Sequence, residues 1–148
     1  MKIAYIDTSA YLKRFLVEAR SDDMEAFVAA NDYQLAISSL SVTEFRAVLR
    51  RQLLLGAISA LFYQKANEQL HQEIANGSLQ LYPVTAATFN LASEIIDGLS
   101  SPLGTLDALH LACAKAAGSA LVVSGDRQLL RASRESGLQT VDLSAAAA

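Results

Sequence analysis

The sequence contains a single cysteine, Cys113, which excludes an intrachain disulfide and a metal site built from several thiolates. It has no apolar run long enough to cross a membrane, and Ile3 to Ile6 is too short for the core of a signal peptide. Basic residues are fewer than acidic ones, 12 against 15, and the net charge is −3. We therefore expect a soluble, cytoplasmic protein that meets a polyanion only through a local basic patch or through bound cations.

The amino-acid composition is that of a folded domain. Hydrophobic residues make up 52% of the 148 residues and charged residues 18%, which is too apolar for a disordered chain. The length suits one domain with its own core. We predict a single domain over residues 1–148, with an Ala-rich tail at about 144–148.

Strand-like and helix-like stretches alternate along the chain. Short apolar runs predict strands at residues 3–6, 35–37, 79–82, 120–123 and 138–141. Helical spacing predicts helices at residues 9–17, 21–30, 41–55, 59–75, 85–96 and 105–117, and another after Asp126. This alternation indicates an α/β fold, in which a parallel sheet with right-handed crossovers is covered by helices on both faces.

Four acidic residues occupy equivalent places in this pattern. Asp7 follows the first strand and Asp126 follows the fourth, while Glu44 and Asp107 fall in the first turns of two predicted helices. The carboxyl ends of parallel strands and the N-termini of the helices that follow them share one edge of such a sheet, where ligands bind beside a switch point. The four carboxylates are therefore predicted to form one cluster.

A cluster of carboxylates requires a cation. Without one the charges repel, and burial raises the pKa values until some groups become neutral. Oxygen ligands without a suitable His or Cys set favour Mg²⁺ or Mn²⁺. Such an ion lowers the pKa of a bound water and stabilises charge on a phosphate, so the pattern predicts metal-assisted hydrolysis of a phosphodiester.

Each acid also has a simpler interpretation. Asp7 and Asp126 could each cap the helix that follows, and Glu44 could complete a capping box with Ser41. Asp107 could complement the dipole of its helix. These roles explain the acids one by one, and they leave unexplained why all of them recur at one edge of the predicted sheet.

Other polar residues near the acids are less specific. His110, one turn after Asp107, could be a metal ligand, although a histidine on an apolar helix is usually a hydrogen-bonded core residue. Cys113 fits a small buried apolar residue. Basic residues that follow the acids could hold a phosphate backbone or simply form solvated helix faces. The candidates for RNA-backbone contacts are Lys13, Arg14, Arg46 and Arg127.

Four segments together resemble the PIN-domain nucleases, and most closely the VapC-type toxins of bacterial toxin–antitoxin pairs. They are Tyr5 to Phe15, Ser41 to Phe45, Leu106 to Ala112 and Ser124 to Leu129. Any one of them is a weak signal. Their order and spacing across nearly the whole chain make the resemblance specific.

The resemblance implies a Mg²⁺- or Mn²⁺-dependent endoribonuclease with a three-layer α/β/α fold and a five-stranded, mainly parallel sheet. It implies that Asp7, Glu44, Asp107 and Asp126 form the catalytic quartet. Asp7 and Asp107 would be direct metal ligands together with Asp126, and Glu44 would help to orient water. The hydroxyls of Thr8, Ser9 and Ser124 are expected to support the acids, with Ser124 where the family often has Thr. The resemblance also implies a homodimer and a cognate antitoxin whose C-terminal segment covers the active-site groove.

Two alternatives remain open from the sequence. Asp7 could be the nucleophile of an aspartyl-phosphate enzyme, although Ser9 stands where such enzymes carry a second acid. The chain could instead be a metal-free RNA- or protein-binding module on the same fold, which four intact acids make less attractive.

Overall fold

The structure is a computed structural model that describes residues 1–145, so the last three residues of the predicted Ala-rich tail lie outside it. Within that range the chain forms five strands and seven helices. They are β1 (Ile3–Ile6), α1 (Thr8–Leu12), α2 (Ser21–Ala30), β2 (Gln34–Ser38), α3 (Ser39–Leu54), α4 (Ala60–Ala75), β3 (Leu79–Tyr82), α5 (Ala86–Gly98), α6 (Thr105–Ala116), β4 (Leu121–Ser124), α7 (Arg127–Glu135) and β5 (Gln139–Asp142). None of the helices in this range is long and apolar enough to span a membrane.

The five strands form one sheet in the order β3-β2-β1-β4-β5. Every pair of neighbouring strands is parallel, so the predicted sheet is confirmed and is parallel throughout. The chain lays β2 and β3 on one side of β1 and then crosses to place β4 and β5 on the other side. The strand order therefore reverses between β1 and β4, where ligands bind in open α/β sheets.

Helices cover both faces of the sheet, as the three-layer architecture requires. In β1, Ala4 and Ile6 belong to a core with Phe45 and Leu49 of α3. Tyr5, between them, points to the opposite face and belongs to a second core that includes Leu109 of α6. All three β1 side chains are fully buried, as expected of a strand covered on both sides.

The first helix is shorter than the predicted 9–17, because α1 ends at Leu12. After that residue the backbone N–H of Arg14 donates to Tyr11 O (3.1 Å) and that of Phe15 donates to Leu12 O (2.9 Å), which forms a tighter turn. The turn places the centre of the Phe15 ring 5.1 Å from the centre of the Phe45 ring. The helix therefore ends before its apolar pattern does, and Phe15 still packs against the core after the turn.

The helix after β2 begins two residues earlier than predicted. Ser38 caps α3 and forms a capping box with Ser41, in which the Ser38 backbone N–H donates to Ser41 Oγ (3.2 Å). The box therefore uses Ser41 as its third helical residue and not as its cap. Glu44 lies in the second turn of α3 and takes no part in the box, so the capping interpretation of Glu44 was wrong.

Candidate active site

The structure brings the four predicted acids to the edge of the sheet where the strands have their carboxyl ends. Asp7 and Asp126 directly follow β1 and β4, the two strands at the switch point. Asp107 lies in the first turn of α6, and Glu44 lies on α3, the helix that follows β2 in the chain. We call this place, defined by these four residues, the acid edge.

Asp7 is buried, and both of its carboxylate oxygens accept hydrogen bonds. Its side chain is the N-cap of α1, where Oδ1 accepts from the Ala10 backbone N–H (2.9 Å) and from Ser9 Oγ (2.8 Å). Oδ2 accepts from Ser124 Oγ (2.6 Å). Burial raises the pKa of Asp7, and these three hydrogen bonds partly oppose the rise. Asp7 therefore combines the cap predicted for it with a place at the acid edge.

Two serine hydroxyls join the ends of β1 and β4. Ser124 Oγ, besides donating to Asp7, accepts from the Asp126 backbone N–H (2.8 Å). Ser9 Oγ accepts from the Gly125 backbone N–H (3.0 Å). Both hydroxyls thus contact the segment that carries Asp126 as well as Asp7, and they fix the two acids relative to each other.

Gly125 permits the close approach of these segments. A Cβ atom at this position would lie 3.3 Å from Lys13 Cε and 3.4 Å from Ser9 Oγ. The first distance is shorter than an ordinary van der Waals contact, so any side chain would push the Lys13 stem away. Glycine here lets the turn after β4 pack directly on the turn after α1.

Glu44 is held from two sides by hydrogen-bond donors. Its Oε1 accepts from Thr8 Oγ1 (2.7 Å) and lies 2.5 Å from His110 Nε2. Burial raises the pKa of Glu44, but the hydrogen bond and charge of His110, together with the Thr8 hydrogen bond, lower it overall. Glu44 is therefore an ionised carboxylate with a fixed orientation.

His110 was expected to be a hydrogen-bonded core residue, and it is only 2% exposed. It also contacts an acid of the predicted quartet, which sequence reasoning did not anticipate. Its Nδ1 lies 2.7 Å from Tyr5 Oη, so both ring nitrogens have partners. The only local signal for this contact was that His110 follows Asp107 by one turn of the same helix.

Asp107 and Asp126 complete the acid edge. Asp126 caps α7 through Oδ1, which accepts from the backbone N–H groups of Gln128 (2.8 Å) and Leu129 (3.1 Å). The pKa of Asp107 is raised to about 6, chiefly by burial and in addition by the charges of Asp126 and Asp7. Mutual repulsion of this kind requires that the carboxylates lie near one another.

The carboxylate oxygens suit a divalent cation. Within residues 1–145, no hydrogen-bond donor contacts Oε2 of Glu44, Oδ2 of Asp126 or either carboxylate oxygen of Asp107. Hard oxygen donors that repel each other are the ligands that Mg²⁺ and Mn²⁺ prefer. In the same range, however, no three His, Cys, Asp or Glu side chains are close enough to hold an ion as they stand. The carboxylate oxygens are therefore of the right chemical type for a divalent cation. The side chains that carry them would have to move closer together to bind it.

All four basic candidates follow an acid closely in sequence, and three of them lie beside helix ends or on exposed helix surface. Lys13 extends along Gly125, and its Nζ donates to Ala19 O (2.9 Å) and pairs with Glu18 (3.2 Å). Arg46 is exposed on α3, and Arg127 is exposed at the start of α7.

Arg14 is not brought to the acid edge. Its Nη1 donates to Glu73 Oε1 (2.8 Å), and its guanidinium lies 5.6 Å from the centre of the Tyr11 ring. The Arg14 side chain lines a cavity together with Met1 and Gln34, which lie at the start of β1 and β2. It therefore faces the edge of the sheet opposite to the four acids.

Comparison with known proteins agrees with this architecture. The family model described as "PIN domain" matches residues 4–135. Among solved structures, VapC20 of Mycobacterium tuberculosis, a sarcin-ricin loop cleaving toxin, is 16% identical with a TM-score of 0.73, covering 94% of this chain and 98% of that chain. No curated protein sequence gave a significant match.

Two further solved structures have the same fold. VapBC2 of Rickettsia felis, bound to a DNA fragment from its promoter, is 17% identical with a TM-score of 0.63, covering 95% of this chain and 98% of that chain. A toxin–antitoxin complex of Klebsiella pneumoniae is 13% identical with a TM-score of 0.64, covering 97% of this chain and 99% of that chain. At these identities the likeness establishes the fold.

Proposed function

The chain belongs to the PIN-domain family, and from that premise we propose that it is a metal-dependent endoribonuclease, the toxin of a type II toxin–antitoxin pair. The observation that carries the proposal is the acid edge itself. Four carboxylates from four separate segments lie at the same edge of the sheet, and the charges of the other three add to burial in raising the pKa of Asp107. An arrangement that costs stability in this way is typical of a functional site.

Asp7, Asp107 and Asp126 would hold Mg²⁺ or Mn²⁺, and Glu44 would orient the attacking water. The bound ion would supply an activated water and would stabilise negative charge on the scissile phosphate. Asp7 suits this role because the Ser9 and Ser124 hydroxyls fix its carboxylate. Glu44 suits its role because Oε1 is occupied by Thr8 and His110, which leaves Oε2 for a water.

RNA would be held through its phosphates by the basic residues around the acids. With a net charge of −3, the chain as a whole repels a polyanion, so local contacts must supply the attraction. Arg46 is exposed on α3, while Lys13 would first have to leave Glu18, and Arg127 would have to leave Ala145 O, to which its Nη2 donates over 2.7 Å. Arg14 is not part of this proposal, because its guanidinium faces the opposite edge of the sheet.

We also propose a cytoplasmic homodimer inhibited by a cognate antitoxin. One of the similar solved structures is a toxin–antitoxin complex, which supports an antitoxin partner. The chain offers apolar surface for protein contacts where α3 and α4 meet. Leu54, Leu55 and Leu61 are between 63% and 72% exposed there.

The test is cleavage of RNA by the purified protein. We expect fragments from single-stranded or looped RNA in Mg²⁺ or Mn²⁺ and none after addition of EDTA. Expression of the chain alone should arrest growth, and co-expression of the product of the neighbouring small open reading frame should restore it. If intact RNA persists with both metals, the nuclease proposal is wrong.

A metal-free binding module is the second candidate. It is favoured by one observation, that no three potential ligands within residues 1–145 are close enough to hold an ion as they stand. Calorimetric titration with Mn²⁺ separates the two candidates, because the binding module would give no heat. An aspartyl-phosphate enzyme is not favoured, since Ser9 stands where such enzymes carry a second acid.

A further inference from the structure

A chain of hydrogen bonds runs from the acid edge into the core between the sheet and α6. It begins at Glu44, whose Oε1 lies 2.5 Å from His110 Nε2. The next two hydrogen bonds join His110 Nδ1 to Tyr5 Oη (2.7 Å) and Tyr5 Oη to Ser38 Oγ (3.0 Å). His110 is 2% exposed, and Tyr5 and Ser38 are fully buried, so these polar atoms depend on one another and not on water.

In the hydrogen bond between His110 and Glu44, the chemistry of the two groups decides which atom is the donor. An ionised carboxylate can only accept hydrogen bonds, so His110 Nε2 must carry a proton in either protonation state of the ring. Tyr5 stays a neutral phenol, because burial raises its pKa far above the usual range. Because Nδ1 is hydrogen-bonded to Tyr5 Oη, the His110 ring cannot flip without breaking both of its hydrogen bonds.

The same oxygen of Glu44 has a second donor. Thr8 Oγ1 donates to Oε1 over 2.7 Å, so Oε1 is held by α1 on one side and by α6 on the other. No donor within residues 1–145 contacts Oε2. The two contacts to Oε1 therefore fix the rotation of the carboxylate and leave its other oxygen available.

We propose that His110 is a positioning residue for Glu44, held in turn by Tyr5, and that it sets the orientation in which Glu44 acts at the acid edge. The inference rests on the proposed nuclease function and assigns that site a member outside the acidic quartet. A packing role would require only the volume of the ring. Positioning requires an N–H group at Nε2 and a donor or acceptor at Nδ1, and each ring nitrogen lies within hydrogen-bond distance of a partner that fits this requirement.

Three substitutions separate positioning from packing. His110→Gln places an amide N–H near the position of Nε2 and keeps a donor for Glu44, whereas His110→Asn is too short to reach the carboxylate. Tyr5→Phe keeps the ring volume and removes the partner of Nδ1. His71→Asn is the matched control, because His71 is the other histidine of the chain and is exposed on α4.

Cleavage kinetics in Mn²⁺ provide the first readout. We expect His110→Asn to lower kcat by about 10–100-fold with an unchanged KM for RNA, as is typical when the partner of a site carboxylate is lost. His110→Gln should retain most of the wild-type kcat, and His71→Asn should retain all of it. Equal kcat values for the folded Asn and Gln variants, or a wild-type kcat for His110→Asn, would overturn the positioning role.

Nitrogen-15 NMR of the histidine rings provides a readout that needs no substrate. We expect a proton on Nε2 of His110 in the metal-free wild type, and a mixture of tautomers in Tyr5→Phe. A wild-type ring protonated on Nδ1 alone would overturn the inference, whatever the cleavage assay shows. If His110→Asn does not fold, as judged by circular dichroism, the comparison of His110→Gln with Tyr5→Phe decides the kinetic question.

The two proposals fail in different ways. Wild-type protein that carries the Nε2 proton but cleaves no RNA would overturn the proposed function, and with it the role of His110 in that function. Wild-type protein that cleaves RNA, with His110→Asn cleaving equally well, would overturn only the positioning role.

Discussion

Ser124 Oγ donates a hydrogen bond of 2.6 Å to Asp7 Oδ2 across 117 positions of sequence. The same hydroxyl accepts from the backbone N–H of Asp126 over 2.8 Å. Ser124 is fully buried, so water cannot replace either contact. One oxygen atom thus connects the ends of β1 and β4 and holds two of the four acids in place.

Removing this hydroxyl should destabilise the protein. Ser124→Ala leaves Asp7 Oδ2 and the Asp126 N–H without their partner, which we expect to cost about 1–3 kcal/mol in the free energy of unfolding. Urea unfolding measures the difference. Ser119→Ala is the matched control, because Ser119 Oγ is buried and has no hydrogen-bond partner within the described residues. If the two variants unfold at the same urea concentration, Ser124 does not hold the acids as we describe.

Neutralising Asp7 should abolish cleavage without unfolding the protein. Asp7→Asn keeps an Oδ1 that accepts from the Ala10 backbone N–H, so the cap of α1 should survive. It loses the charge that would hold the cation, a loss worth several kcal/mol, or about 100-fold or more in rate. RNA cleavage in Mn²⁺ measures this, with Asp97→Asn on the exposed surface of α5 as control. Full metal-dependent cleavage by Asp7→Asn would refute the assignment.

Arg14 should matter for stability and not for RNA. Arg14→Gln removes the guanidinium from Glu73, whose side chain is only 15% exposed, and we expect a loss of about 2–3 kcal/mol in the free energy of unfolding. RNA affinity should stay unchanged, because Arg14 faces the edge opposite to the acids. Chemical unfolding and RNA titration measure the two effects. Arg46→Gln should show the reverse pattern, and weaker RNA binding by Arg14→Gln would contradict this reading.

The sequence predicted the sheet and the position of the acids, because both follow from local patterns. A buried strand is a short apolar run, and an acid directly after it must lie at the carboxyl edge of a parallel sheet. Asp7 and Asp126 could therefore be placed without coordinates. Their double role as helix caps could be foreseen as well, since the cap is set by residues within one turn.

The contacts of His110 could not be predicted in the same way. They join Glu44 and Tyr5, which are 66 and 105 positions away, and no local spacing encodes such a meeting. The separation of Lys13 from Arg14 was equally hidden. The two residues are adjacent in sequence, and only the tight turn that ends α1 sends their side chains to different parts of the molecule.

Asp107 should make the stability of the metal-free protein depend on pH. Its pKa rises from the ordinary 3.8 to about 6, so between these values the folded state binds more protons than the unfolded state. Stability then falls as pH rises through this window, and above it the loss caused by this group stays constant. Asp107→Asn removes the repulsion, and because the side chain is half-buried and screened by solvent we expect a gain of about 1 kcal/mol at neutral pH.

Thermal unfolding in EDTA across this pH range measures the effect. The stability of Asp107→Asn relative to wild type should grow as pH rises from 3.8 to about 6 and then remain constant. In a separate assay with Mn²⁺, the variant should lose cleavage of RNA. Asp97→Asn, on exposed surface, should show no such trend. A difference between wild type and Asp107→Asn that does not change with pH would mean that Asp107 has an ordinary pKa. The four carboxylates would then not repel one another, and the main support for a cation at the acid edge would be lost.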